Sequence, residues 1–171
     1  MAKEIKKYKI SVNVQDYVLR NARLFAGASG LGMGLASLIA ATKNLQVKKN
    51  AKGPLLSQAD WQIRISELYL RAMALKGMLK SIEGEYLTLI HSQEDRFTPL
   101  KILGTQFAID CSELLVKSMG AEGYEESSFA NRMWRESIAG EFIEGGNVVL
   151  KMKCAQDWIR SVLSGDSYAP F

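Results

Sequence analysis

Histidine is nearly absent from this chain of 171 residues: the one present, His91, stands among polar residues at an expected helix end. A Ser-His-Asp triad or a multi-histidine metal site therefore has little support. Cysteine is scarce too, with Cys111 and Cys154 far apart in sequence. That separation gives neither metal-ligand spacing nor a disulfide framework, and it fits a reducing, cytoplasmic setting. Strand patterning is weak, since only Tyr8 to Val14 alternates, and one strand cannot make a sheet. Charge is missing altogether from Leu24 to Ala41, LFAGASGLGMGLASLIAA. The run is short for a bilayer, is rich in Gly, Ala and Ser rather than Leu and Ile, and has basic residues on both flanks. We read it as a buried helix without a membrane span. A small membrane protein is the rival, because Gly30-x-x-x-Gly34 is also the small-residue spacing of membrane helix pairs.

No signal-peptide pattern precedes that run, since MAKEIKKYKISVN has no long apolar core. Gly30-Leu31-Gly32-Met33-Gly34 hints at a phosphate loop, yet it lacks the Gly-x-Gly-x-x-Gly spacing and follows no strand. Each glycine inside a helix costs about 1 kcal/mol relative to alanine, so several of them imply close approach by another helix or a ligand.

What is present reads as long helices with short joints. Length and a 47% hydrophobic composition imply one soluble domain, 1–171, with an N-terminal arm at 1–13, a bundle at 14–163 and a tail at 164–171. The net charge of +4 is spread along the chain apart from Lys43, Lys48, Lys49 and Lys52. That run reads as a solvated helix end, and no nucleic-acid partner is expected. A first helix is predicted from Val14 to Asn44. A second, N-capped by Ser57, runs to about Ser92, with Trp61, Ile65, Leu68, Met73, Leu75, Leu79, Ile82 and Leu89 on its apolar face. A third starts at Thr98, with Pro99 at the first helical position, and stops at Gly120. A short helix follows Ser127 and Ser128. A last one begins after Gly146 and carries Val149, Met152, Trp158, Ile159 and Val162. Antiparallel helices of this length predict an all-α, up-down four-helix bundle.

The segment Gly120 to Gly146 adds a more specific signal. Gly120-Ala121-Glu122-Gly123-Tyr124, then Arg132-Met133-Trp134-Arg135-Glu136, then Glu144-Gly145-Gly146 follow in order. They resemble, without a gap, the Gly-Gly-x-Gly-Tyr turn, the Arg-x-x-Arg-Asp helix and the Glu-Gly-Thr loop of the acyl-CoA dehydrogenase C-terminal domain. The resemblance covers the chain from about Arg23 onward. It implies the family's four-helix bundle, which also forms a tetramer core, so a homo-oligomer, dimer or tetramer, is expected.

The resemblance also implies a chemistry. Glu144 matches the base that removes the α-proton of an acyl-CoA or acyl-carrier thioester, while FAD takes the β-hydride. Arg23 falls on the arginine near the thioester. The cofactor-binding set would be Lys48, Gln58, Gly120, Ala121 and Gly146. Here the sequence departs from the family. Arg-x-x-Phe-Gly reads Lys48-Lys49-Asn50-Ala51-Lys52, and lysine lacks the planar fork that grips pyrophosphate in two places. The flavin-contacting glutamine falls on Ala59, with Gln58 and Gln62 nearby. The turn's second glycine is Ala121, and the loop's threonine is Gly146. The loop is closer to the Glu-Gly-Asp-Asn of acyl-CoA oxidases. The base is kept while the cofactor grip is weakened.

The family's N-terminal helical domain and middle β-domain do not fit in 171 residues, so the chain by itself should not turn over. Two readings follow: the C-terminal domain of a flavin-dependent acyl-CoA dehydrogenase or oxidase, or a non-catalytic helical module for oligomerisation or partner docking.

Overall fold

A computed structural model describes residues 14–90 and 95–164. The expected N-terminal arm, residues His91 to Glu94, and the chain from Gly165 lie outside the described residues, while Val14, the last residue of the alternating stretch Tyr8 to Val14, opens a helix. Five α-helices are present: α1 (Val14–Val47), α2 (Ala59–Leu89), α3 (Phe97–Met119), α4 (Phe129–Ala139) and α5 (Asn147–Ser164). Between α1 and α2 lies a minimal antiparallel hairpin, β1 (Lys49–Asn50) against β2 (Gly53–Pro54), with Gly53 at φ 103° directly after its two-residue turn.

Local chemistry sets most of the boundaries. Gly120 ends α3 at φ 66°, a conformation that glycine adopts without a Cβ penalty. Ser128 caps α4, its hydroxyl accepting from the Ala130 N–H at 3.1 Å. Two expected starts move. Ser57 is not the cap of α2, because its hydroxyl donates instead to the Pro54 carbonyl at 2.7 Å, and Gln58 occupies the cap position. In α3 the Asp95 carboxylate accepts from the N–H groups of Phe97 and Thr98 at 3.1 and 3.0 Å. The helix thus opens at Phe97, with Pro99 in its first turn, where the missing N–H goes unused.

The helices run up, down, up and down. Gly27 lies against Leu100, Gly30 against Gly104 and Gly34 against Phe107, so α1 and α3 are parallel. The α2 helix is antiparallel to both, with Arg20 donating to the Leu89 carbonyl and Arg71 paired with Asp110. The fourth leg is divided: α4 descends along α3, and α5 continues past the start of α3. The expected all-α bundle is therefore the architecture found.

The uncharged run of α1 is explained by its neighbour. Helix α1 is long and apolar enough to cross a membrane by length and composition. Its glycines, however, form the seam with α3: a Cβ at Gly30 would stand 2.5 Å from the Gly104 carbonyl, and one at Gly34 would stand 2.4 Å from the Phe107 ring. Around this seam Leu38, Ala41, Leu100, Phe107, Cys111 and Leu115 form the core, which Leu68, Leu75, Ile82 and Leu89 of α2 complete at heptad spacing. Met73 falls off that face and is half exposed. On α5 only Asn147 and Leu150 are buried, and Val149, Met152, Trp158, Ile159 and Val162 all face outward.

Candidate functional site

The loop between α4 and α5 turns in a way that few L-residues do. Gly140, Glu141 and Phe142 wind on from the end of α4 by i to i−3 hydrogen bonds, and the N–H of Asn147 returns to the Glu141 carbonyl at 3.0 Å. In this closed loop Glu144 has φ 56°, the only non-glycine residue with positive φ among the described residues. Gly145 follows at φ 101°. Left-handed backbone costs an L-residue about 1 to 2 kcal/mol, so the surroundings must hold Glu144 in place.

Those surroundings come from α1 and α3. Arg23, with a side chain only 12% exposed, directs Nε to the Glu144 carbonyl at 3.4 Å and donates from Nη1 to the Thr98 hydroxyl at 3.0 Å. Asp95 stands 3.8 Å from Arg23 and accepts from the Thr98 hydroxyl at 2.6 Å. From below, the wholly buried Lys101 donates from Nζ to the carbonyls of Glu141 and Gly145 at 3.1 and 2.8 Å, and to Asn147 Oδ1 at 2.6 Å. Asn147 in turn donates from Nδ2 to the Thr105 hydroxyl at 2.9 Å. Burial pushes the pKa of Lys101 below its ordinary value and Arg23 pushes the same way, while Glu141 and Glu144 oppose them. Three donated hydrogen bonds favour the ammonium form.

Glu144 lines a cleft of about 370 Å³ between α1, α3 and the end of α4. Its lining includes Phe25, Ala26, Met33, Ala108 and Ile143, together with a second carboxylate, Glu136. The arrangement brings Glu144, on a strained backbone in a loop held by a buried cation, to a largely apolar cleft.

The other expected site residues lie elsewhere. Arg23 and Glu144 are brought together, whereas Lys48, Gln58, Gly120 and Ala121 gather around the far end of α1 and α3. There the Lys48 ammonium donates to the Met119 carbonyl and lies 3.6 Å from the Glu122 carboxylate. Gln58 donates from its amide to Asn50 Oδ1 at 2.9 Å. Gly120 and Ala121 are exposed, and a Cβ at Gly146 would meet nothing within 4 Å. Both donors at this edge are engaged within the protein, and Glu122 adds a negative charge to the turn. As folded, these residues do not fit the pyrophosphate of FAD. Sequence reasoning misses Lys101, Thr105 and Asn147. The signal that could find them is a lysine on the buried stripe of α3, between Leu100 and Gly104.

Comparison with known proteins agrees with the fold. The sequence profile of the acyl-CoA dehydrogenase C-terminal domain matches residues 12–158. No curated protein matches the chain. Among solved structures, butyryl-CoA dehydrogenase from Megasphaera elsdenii superposes with a TM-score of 0.75 at 16% identity, over 87% of this chain and 39% of that one. An acyl-CoA dehydrogenase from Slackia heliotrinireducens gives 0.74 at 17% identity, over 88% and 40%. A glutaryl-coenzyme A dehydrogenase in complex with glutaryl-CoA gives 0.72 at 20% identity, over 85% and 37%. The chain thus spans about two fifths of the length of these structures. At such identities the likeness is one of fold.

Proposed function

The chain belongs to the acyl-CoA dehydrogenase family, whose C-terminal domain it carries, and we propose that it forms the base-bearing side of an acyl thioester site, with Glu144 taking the α-proton. The observation that carries this reading is the left-handed Glu144 lining an apolar cleft. Strained backbone at a chemically useful side chain points to a functional demand, because an ordinary loop glutamate has no reason to bear it. Phe25, Ala26 and Met33 give the cleft an acyl-compatible wall, and Arg23 fixes the loop from the side. The substrate on this reading is an acyl-CoA or acyl-carrier thioester.

In this family FAD supplies the acceptor for the β-hydride. Because Lys48 and Gln58 are engaged internally, this chain's contribution is limited to the proton side, and dehydrogenation requires an acceptor held by other domains or subunits. The outward apolar side chains of α5 and the exposed Ile63, Tyr69 and Leu70 of α2 support self-association or docking to such a partner. The same surfaces favour the second reading, a non-catalytic docking or oligomerisation module. Two free cysteines keep a cytoplasmic setting within the proposal.

Proton exchange separates the two readings. The carboxylate removes the α-proton, exchanges it with solvent and returns a deuteron, so butyryl-CoA in deuterium oxide should gain α-deuterium with the wild-type chain and not with Glu144→Gln. Equal exchange with both proteins would remove Glu144 as the base. No exchange with either would overturn the acyl-site reading and favour the docking module.

A further inference from the structure

Among the described residues Lys101 is the one fully buried charged side chain of the core, and every proton it carries is directed at the loop that bears Glu144. An ammonium has three donors. Here they go to the carbonyl before Glu144 in the loop, Glu141 O at 3.1 Å, to the carbonyl just after it, Gly145 O at 2.8 Å, and to the first side chain of α5, Asn147 Oδ1 at 2.6 Å. The lysine therefore grips both ends of the turn. The grip is itself braced, since Asn147 Nδ2 reaches the Thr105 hydroxyl at 2.9 Å and that hydroxyl donates to the Lys101 carbonyl at 2.9 Å, one turn back along α3. Asn147 closes the ring a second time through its own N–H to the Glu141 carbonyl.

A buried ammonium is expensive unless it is fully hydrogen-bonded, and a purely structural core position is filled more cheaply by leucine or methionine. Two of the three acceptors are backbone carbonyls turned inward by the same loop geometry that puts Glu144 at φ 56°. Without a donor below them, the Gly145 carbonyl would lose its partner and the Glu141 carbonyl would keep only the Asn147 N–H, and the loop would relax toward solvent. We propose that Lys101 is a positioning residue: its ammonium holds the Glu141–Asn147 turn so that Glu144 keeps its left-handed backbone at the cleft.

The inference rests on the acyl-site reading for its chemical consequence, but its structural content can be tested separately. In Lys101→Met the aliphatic stem still fills the core while the donors are lost. Amide hydrogen exchange across 141–147 should then rise about tenfold, with the α1 and α3 seam still protected. On the acyl-site reading, butyryl-CoA should bind within about twofold of wild type while its α-deuterium exchange slows at least about tenfold, a split that general loosening of the fold would not give. Unchanged protection of 141–147 would overturn the positioning role whatever Glu144 does. A loosened loop with wild-type α-exchange would overturn its link to the base. If the wild-type chain exchanges no α-proton, the acyl-site reading fails, and loop protection alone decides for or against Lys101. Should Lys101→Met not fold, Asn147→Ala removes one acceptor and the Thr105 brace: a smaller rise confined to 141–147 supports the role, and no rise overturns it.

Discussion

Gly30 of α1 and Gly104 of α3 touch backbone to backbone, so that a Cβ added at Gly30 would stand 2.5 Å from the Gly104 carbonyl. Two positions along, Gly32 is exposed, and a Cβ added there would meet nothing within 4 Å. The same substitution should therefore have opposite signs. Gly32→Ala gains helix propensity of up to about 1 kcal/mol. Gly30→Ala meets backbone that cannot rotate away, and overpacking of this kind costs about 1 to 3 kcal/mol, more than the propensity gain. Urea titrations of the two variants check this, and a stabilised Gly30→Ala would show that the seam is loosely packed.

Cys111 and Cys154 should behave as two different thiols. Burial pushes Cys111 up to about 12, with Asp110 adding to it and Arg71 opposing. Burial also raises Cys154, helped by Asp95 and Asp157 against Lys153, although its side chain is partly accessible. A thiol reagent at neutral pH should label Cys154 slowly and Cys111 only after unfolding. The linkage has a definite sign. Because the folded pKa of Cys111 lies above its ordinary value of 9.0, its contribution to stability is complete below pH 9 and is lost as pH rises toward about 12. Cys111→Ala should flatten that alkaline decline, and an unchanged slope would assign it to other groups.

These two features also mark what sequence can and cannot reveal. Gly120, Ser128 and Gly146 point to the correct boundaries because their effects are local: a positive φ, a cap, and a joint before α5. The bundle follows from helix lengths and apolar spacing. Glu144 and Arg23 come from resemblance, and the fold brings them together. Lys101 is hidden because its acceptors lie 40 to 46 positions away, beyond the reach of any periodicity. The start of α3 differs from the expected one because the Asp95 carboxylate accepts from the N–H groups of Phe97 and Thr98, a turn that apolar spacing does not reveal. On α5 the apolar residues are legible, but their exposure is not, since burial depends on what stands opposite.

Trp134 tests the joint between the turn and α4. It is half-buried and meets Tyr124 edge to face, with ring centroids 6.5 Å apart at 79°. Full burial of tryptophan would make truncation cost about 3 to 5 kcal/mol, so Trp134→Ala should cost about 2. In a double-mutant cycle with Tyr124→Ala, the coupling should be about 1 kcal/mol. Strictly additive losses would mean that the rings are neighbours without a specific interaction.

The far edge of the bundle carries the sharpest expectation about FAD. Lys48 stands where the family resemblance calls for an arginine on pyrophosphate, but its ammonium is held by the Met119 carbonyl at the C-terminal end of α3, beside Glu122. A cation at a helix C-terminus is favoured by the exposed carbonyls there, and freeing it for a ligand forfeits that bond. The carboxylate of Glu122 would meanwhile repel an incoming phosphate. The purified chain, incubated with FAD and passed through gel filtration, should therefore carry no visible flavin band. Glu122→Gln removes the repulsion but leaves Lys48 on the carbonyl, so it should not restore binding by itself. A stoichiometric flavin band in the wild-type chain would show that Lys48 can leave Met119, and would make this edge the cofactor grip that its internal bonds argue against.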